Sequence, residues 1–177
     1  MKLRSFLPLI ASGFLAACST VGPAGNTSVP QPAKTVQLNR YLGTWFELAR
    51  YENSFETDCE GVTAQYSLRD DGMIKVINTC RKDSPDGAKK TVEGRAKIVP
   101  NSGNAKLRVS FFGPFYGDYW VLDHAADYSW SIVGEPSGRY LWILTRTAKP
   151  SEQTRKMLVK RATSLGYDAA LLRWTRH

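Results

Sequence analysis

From residue 62 onward apolar and polar positions alternate in short runs. Val62, Ala64, Tyr66 and Leu68 interleave with Thr63, Gln65, Ser67 and Arg69. A period of two is the mark of a strand with one buried face. Asp70-Asp71-Gly72 then reads as a hairpin turn. Ile74, Val76, Asn78 and Cys80 start a second run, and Val92, Gly94, Ala96 and Ile98 carry a third between Thr91, Glu93, Arg95 and Lys97. After a turn over 100–104, Ala105, Leu107, Val109 and Phe111 form a fourth. Further strands are expected near 116–123, 128–134 and 139–146, where both faces are rather apolar and an outer cover is called for.

One helix supplies that cover. Pro150-Ser151 reads as its start, with Ser151 as N-cap. Thr154, Leu158, Ala162 and Leu165 make an apolar stripe at helical spacing, and Gly166 is a C-terminal stop. A short ninth strand is expected at about 169–175. Many short, evenly spaced antiparallel strands suggest a closed barrel or a sandwich, and eight strands enclose room for one small ligand.

An up-and-down barrel lets the two ends be assigned. With the start of the first strand, Gly43-Thr44-Trp45, at the closed floor, loops near 52–60, 82–90, 112–117 and 134–138 fall at the mouth. Arg146, at the end of the eighth strand, returns to the floor beside Trp45. A guanidinium over an indole face contributes ~0.5–2 kcal/mol depending on burial. Gly43, Trp45 and Arg146 are therefore the expected floor plug.

The first residues follow a different pattern. Lys2 and Arg4 precede a short apolar stretch from Phe6 to Phe14, and Leu15-Ala16-Ala17-Cys18 follows. That order is a signal peptide over 1–17. Leu15 to Cys18 resembles a bacterial lipobox, which makes Cys18 the lipidation site. Ordinary cleavage after Ala17, leaving a free thiol, is the alternative. In the Gram-negative lipoproteins that this segment resembles, Asp after the cysteine favours inner-membrane retention, so with Ser19 the resemblance implies the outer membrane. Residues 18–36, rich in Gly, Pro, Ser and Thr, read as a flexible lipidated tether, and 37–177 as the barrel domain. No later segment approaches the length of a transmembrane helix.

Charge and cysteines narrow the picture. Taking Lys2 and Arg4 from the 24 basic residues leaves 22 against 16 acidic ones. The surplus is scattered, with no nucleic-acid footprint; it is a solvated surface or an aid near anionic headgroups. With Cys18 assigned to lipid, Cys59 and Cys80 remain, and in an oxidising envelope they are expected to pair, both near the mouth. In a simple hairpin register Cys59 lies a few residues past Cys80, so the chain must bend back there. Two Cys and two His at wide spacing do not form a zinc pattern; no metal or cofactor is expected.

Three stretches now carry a resemblance: Tyr41-Leu42-Gly43-Thr44-Trp45-Phe46-Glu47-Leu48-Ala49-Arg50, Asp123-His124-Ala125-Ala126-Asp127-Tyr128, and Leu141-Trp142-Ile143-Leu144-Thr145-Arg146. Over about residues 38–176 the chain resembles the lipocalins, and Phe111 to Gly117 matches their bacterial branch. Ala126 stands where the wider family commonly has Thr. The resemblance implies an all-β, eight-stranded antiparallel up-and-down barrel with one C-terminal helix packed outside. It also implies a fatty acid or lysophospholipid as ligand, held in the cell envelope. Some members dimerise, so a homodimer is a further implied partner.

Tyr66, Asn78, Phe111, Tyr119, Tyr140 and Trp142 are the candidate ligand-binding residues, since each can face inward. A solid core explains the same residues equally simply. Asn78 stands out, because a buried amide among apolar neighbours needs a partner. Phe55, Phe115 and Tyr116 fall in mouth loops, where they line the entry, touch lipid or form an interface. An enzyme is not expected: only His124 and His177 occur, no serine sits in a nucleophile elbow, and Asp123 and Asp127 read as turn caps. Two readings stay open, a lipid-binding carrier and a structural or interaction lipoprotein with a packed barrel.

Overall fold

The computed structural model describes residues 24–177. The signal peptide, Cys18 and the first part of the tether lie outside the described residues. A one-turn helix α1 (Leu38–Tyr41) leads into β1 (Gly43–Tyr51), β2 (Cys59–Leu68), β3 (Ile74–Lys82), β4 (Lys89–Ile98), β5 (Lys106–Ser110), β6 (Gly117–His124), β7 (Trp130–Gly134) and β8 (Leu141–Thr145). Helix α2 (Glu152–Ser164), a 3₁₀ turn at Ala169–Leu171 and β9 (Leu172–Trp174) complete the chain. Each strand pairs antiparallel with the next, and β1 pairs with both β2 and β8, so the sheet closes into an eight-stranded barrel.

Alternation separates two cores. Inside the barrel Trp45, Tyr66, Ile74, Val76, Leu107, Val121 and Leu144 pack together. Outside it, Leu48, Ile132, Leu141 and Ile143 meet Leu158 and Ala162 of α2. This is why β7 and β8 are apolar on both faces. The helix begins as expected, with Ser151 Oγ accepting a hydrogen bond from Thr154 N at 3.1 Å, and Gly166 follows it at φ +92°.

β2 carries the bend that the cysteines require. Between Glu60 and Thr63 it holds one residue more than β3 does between Arg81 and Thr79, and Gly61 takes the left-handed conformation, φ +55°. This bulge brings Cys59 within 5.3 Å of Cys80, Cα to Cα, and the two are disulfide-bonded. A link across 21 residues contributes roughly 3 kcal/mol by the chain-entropy argument.

β2 pairs with β1 only over Gly43–Phe46. Above that point β9 takes its place, pairing with Ala49–Tyr51, while Gly61 N donates to Arg176 O at 2.7 Å. The C-terminal strand is thus the filler of a seam that opens toward the mouth. Buried Glu60 holds it there, pairing with Arg173 at 2.9 Å and Arg176 at 3.1 Å.

Where a flexible tether is expected up to residue 36, residues 24–36 instead form a strap along the outside of the barrel. Gly25 N donates to Gly138 O at 3.0 Å at the mouth end, and Val36 N to Gly103 O at 2.8 Å at the floor end. Lys34 pairs with buried Asp123 at 2.7 Å, and Arg161 of α2 reaches the same carboxylate. Gly138, at φ +66°, admits the strap because a Cβ there would lie 1.8 Å from Asn26 O. A few exact contacts, rather than apolar content, order this segment, which is why composition does not reveal it.

Both clamping carboxylates titrate lower than usual. Burial pushes Asp123 and Glu60 up, but hydrogen bonds from Lys34 and Arg161, and from Arg176, outweigh it. The folded state therefore binds fewer protons at these sites, and their stabilisation is complete above the ordinary values of 3.8 and 4.5 and drains away as pH falls below them. Hydrogen exchange should show strap 24–36 and β9 loosening first at pH 3 relative to pH 6. Uniform loosening of all strands would count against the clamps.

Candidate functional site

The interior is built from the floor upward. Gly43 sits at φ +94°, and Arg146 Nη1 would lie 3.5 Å from a Cβ there. The Arg146 guanidinium lies 3.7 Å from the centre of the Trp45 ring. It donates to Thr44 O at 2.7 Å and to Arg40 O, Tyr41 O and Leu42 O at 2.8–3.1 Å. Trp45 is fully buried, and its Nε1 donates to Tyr41 O at 2.8 Å. The plate and its rim of carbonyls seal one end of the barrel.

Directly above lies a chain of hydroxyls. Tyr66 and Tyr119 are 2.9 Å apart at their oxygens, Tyr119 and Tyr41 3.0 Å, and Tyr41 and Ser131 3.1 Å. Ser131 Oγ donates onward to Asp123 O at 3.5 Å. Donation in one direction satisfies all four hydroxyls, and such chains reinforce themselves. Burial pushes the Tyr41, Tyr66 and Tyr119 phenols up from their ordinary values, so all three stay neutral.

The wall then opens. On β3 Ile74 and Val76 are buried, while Asn78 and Cys80 on the same face are only half-buried. On β4 Ala96 is buried, yet Val92, four residues nearer the mouth on the same inner face, is 39% exposed. Exposure of this inner face therefore rises from the floor end toward the mouth end. Asn78 Oδ1 is a buried acceptor without a hydrogen-bond partner among the described residues.

The rim is aromatic. Tyr140 stacks on Trp142 with centres 5.8 Å apart and planes 7° apart, and Phe55 from the β1–β2 loop stacks on Tyr140 at 5.6 Å. Trp142 Nε1 donates to Glu56 of that loop at 3.0 Å. The structure thus separates the six expected binding residues into levels: Tyr66 and Tyr119 in the floor hydroxyl chain, Asn78, Phe111 and Trp142 on the wall, and Tyr140 at the rim.

Sequence reading passed over a buried ion pair. Arg50 and Glu47, both fully enclosed, meet at 2.7 Å, and Thr175 donates to the same carboxylate. Arg50 Nη2 also donates to Glu56 O at 2.8 Å, which fixes the loop bearing Phe55. Burial pushes the Glu47 carboxyl up more strongly than Arg50 pulls it down. Two charges within the apolar run from Trp45 to Tyr51 are the signal that marks this pair. The two histidines serve structure: His124 stacks on Tyr128 with ring centres 4.5 Å apart, and His177 Nε2 bonds Glu47 O at 2.8 Å. Among the described residues no cluster of His, Cys, Asp and Glu could hold a metal ion, and no helix is long and apolar enough to cross a membrane.

Comparison with known proteins agrees with this geometry. The family described as a lipocalin-like domain matches residues 36–177. The chain is 38% identical to the outer membrane lipoprotein Blc of Citrobacter freundii, covering 99% of this chain and 98% of that one. It is 40% identical to the Blc lipoprotein of Escherichia coli K12, covering 96% of each. Among solved structures, insecticyanin from the tobacco hornworm Manduca sexta superposes with a TM-score of 0.68 at 22% identity, over 86% of this chain and 87% of that one, a likeness of fold. On the strength of the family match and of these nearly full-length identities, this chain belongs to the lipocalin family.

Proposed function

We propose that the protein is a lipid-anchored lipocalin of the bacterial outer membrane that takes up one hydrophobic molecule with a single acyl chain, a fatty acid or a lysophospholipid, within the envelope. Cys18 is the acylated residue in this reading, and the outer membrane lipoproteins of similar sequence support the location. The observation that carries binding is the exposure gradient of the inner wall, from buried Ala96 to Val92 at 39% exposed.

The arrangement favours tail-first entry. The acyl chain passes Trp142 and Phe111 and stops above the hydroxyl chain and the Trp45–Arg146 plate. Asn78 Oδ1 accepts a hydrogen bond from a protonated carboxyl or a glycerol hydroxyl. Phe111, Tyr119, Trp142 and Tyr66 supply the apolar contact, and Tyr140 lines the entry.

Displacement of a fluorescent fatty acid tests this. Affinity should rise with chain length, since each buried CH₂ contributes ~0.8 kcal/mol before ordering costs, and then level off when the tail meets the floor. Headgroup identity should matter less than length. An absence of saturable binding at every length would favour the scaffold with a filled barrel.

A further inference from the structure

We infer that the mouth end of the barrel is a membrane-contacting face, seated on the phospholipid surface by three loop-tip phenyl groups, so that the cup opens directly onto the bilayer. This rests on the lipid-anchored reading for its geometry and goes beyond it in assigning an orientation and a contact surface.

Three observations converge. Phe55, Phe112 and Phe115 are 63%, 77% and 79% exposed. Phe55 lies in the β1–β2 loop, and Phe112 and Phe115 in the β5–β6 loop, both at the mouth. An aqueous surface gives such rings no reason to project together at one end, whereas the boundary between headgroups and acyl chains does. Second, the β5–β6 loop is flanked by guanidinium groups. Arg95 Nε donates to Tyr116 Oη at 3.0 Å and Arg108 Nη2 to Tyr116 O at 3.1 Å, and both arginines are exposed. Arg108 is also paired with Asp118 at 3.6 Å, so Arg95 is the cation beside the apolar tips that suits phosphate headgroups above an acyl layer.

Third, the strap fixes where the anchor leaves. Gly25 is bonded to Gly138 in the β7–β8 loop, and its carbonyl accepts from Asp168 N at 2.9 Å. Residue 24 therefore departs from the mouth end, although the barrel domain proper begins at the floor. With five residues between them, Cys18 and Ala24 lie at most about 22 Å apart even when the chain is fully extended. A lipid on Cys18 thus holds the mouth close to the bilayer, while the floor, a barrel length away, points into the aqueous compartment.

The consequence is a route for the ligand. The Phe55–Tyr140–Trp142 stack runs from the proposed contact face to the inner wall. An acyl chain leaving the bilayer can travel along it without crossing bulk water.

The test uses the mature full chain, isotope-labelled, on nanodiscs of phosphatidylethanolamine and phosphatidylglycerol that carry a lipid spin-labelled near the headgroup. Amide signals from 53–57 and 111–117 should be lost by broadening, while those of the floor turns at 70–72, 101–103 and 125–128 persist. Broadening of the floor turns, equal broadening of both ends, or none at either, would overturn the inference. So would mouth signals that change with protein concentration but not with added discs, which would make this face an interface between copies of the chain. Phe55→Ser/Phe112→Ser/Phe115→Ser alters only exposed rings, so the fold should hold. Because the anchor by itself keeps the mouth near the bilayer, this comparison is made on protein carrying Cys18→Ser: the mouth signals should broaden with the three phenyl groups present and should not with the three serines, and equal broadening would show that the phenyl groups make no contact. Intact mass separates the two readings. Mouth broadening in protein without an acyl group sinks the anchor alone, and acylated protein lying floor-down sinks the docking face alone.

Discussion

Arg146→Ala should lower stability by roughly 3 kcal/mol, because several charge-assisted hydrogen bonds and the indole packing go together. For a domain of this size that is a fall in Tm of roughly 6–12 °C. Thr44, Arg40, Tyr41 and Leu42 would lose the donor that gathers their carbonyls, and water would gain a path to the face of Trp45. Trp45 emission should shift to the red. Arg146→Lys keeps the charge but not the planar fork, so it should recover only part of the loss. Thermal melts and tryptophan emission check this together. Wild-type values for Arg146→Ala in both would mean that the floor plate carries no load.

Arg50→Met should be costlier, about 3–5 kcal/mol at pH 7, since it strands Glu47 in a dry site. Glu47→Leu/Arg50→Met should recover most of that loss, because the pair then disappears as a unit. Glu47 is already pushed up by burial, and a carboxyl titrating higher folded than unfolded is stabilised by taking up a proton. The penalty of Arg50→Met should therefore shrink as pH falls from 8 to 5. Denaturant titrations of the single and double variants at several pH values measure it. A penalty independent of pH would place its origin in packing rather than in charge. Because Arg50 also holds Glu56 O, the single variant should free the loop that carries Phe55 and weaken ligand binding.

The strands were legible because alternation and burial are the same fact seen twice. Val62, Ala64 and Tyr66 in β2, and Ala96 and Ile98 in β4, have only one way to hide their apolar side, whereas Leu68, expected on the same buried face, ends β2 at 60% exposed. The floor was legible for a topological reason: with eight strands running up and down, Trp45 and Arg146 must return to one end. Cys59 and Cys80 could be paired by elimination, though the bulge at Gly61 that makes room for them leaves little trace beyond one glycine. The strap could not be read, because its order comes from single contacts such as Lys34 to Asp123, 89 residues apart in the chain. Nor could the partnership of Glu47 with Thr175, which are 128 residues apart. The break of period two at Leu48-Ala49, where a bulge in β1 turns both outward, was the available hint. Tyr41 was missed as a site residue because α1 is one turn long and has no periodicity to show which way its ring points.

Native mass spectrometry of the protein gently extracted from its own envelope tests the central claim most directly. The account predicts one single-chain lipid bound per barrel, removable by solvent and restored by adding back a fatty acid or lysophospholipid of adequate length. It predicts too that Trp142→Arg, with a charge on the inner wall, carries none while keeping its fold by circular dichroism. A wild-type barrel that arrives empty, and stays empty when such lipids are offered, would contradict it.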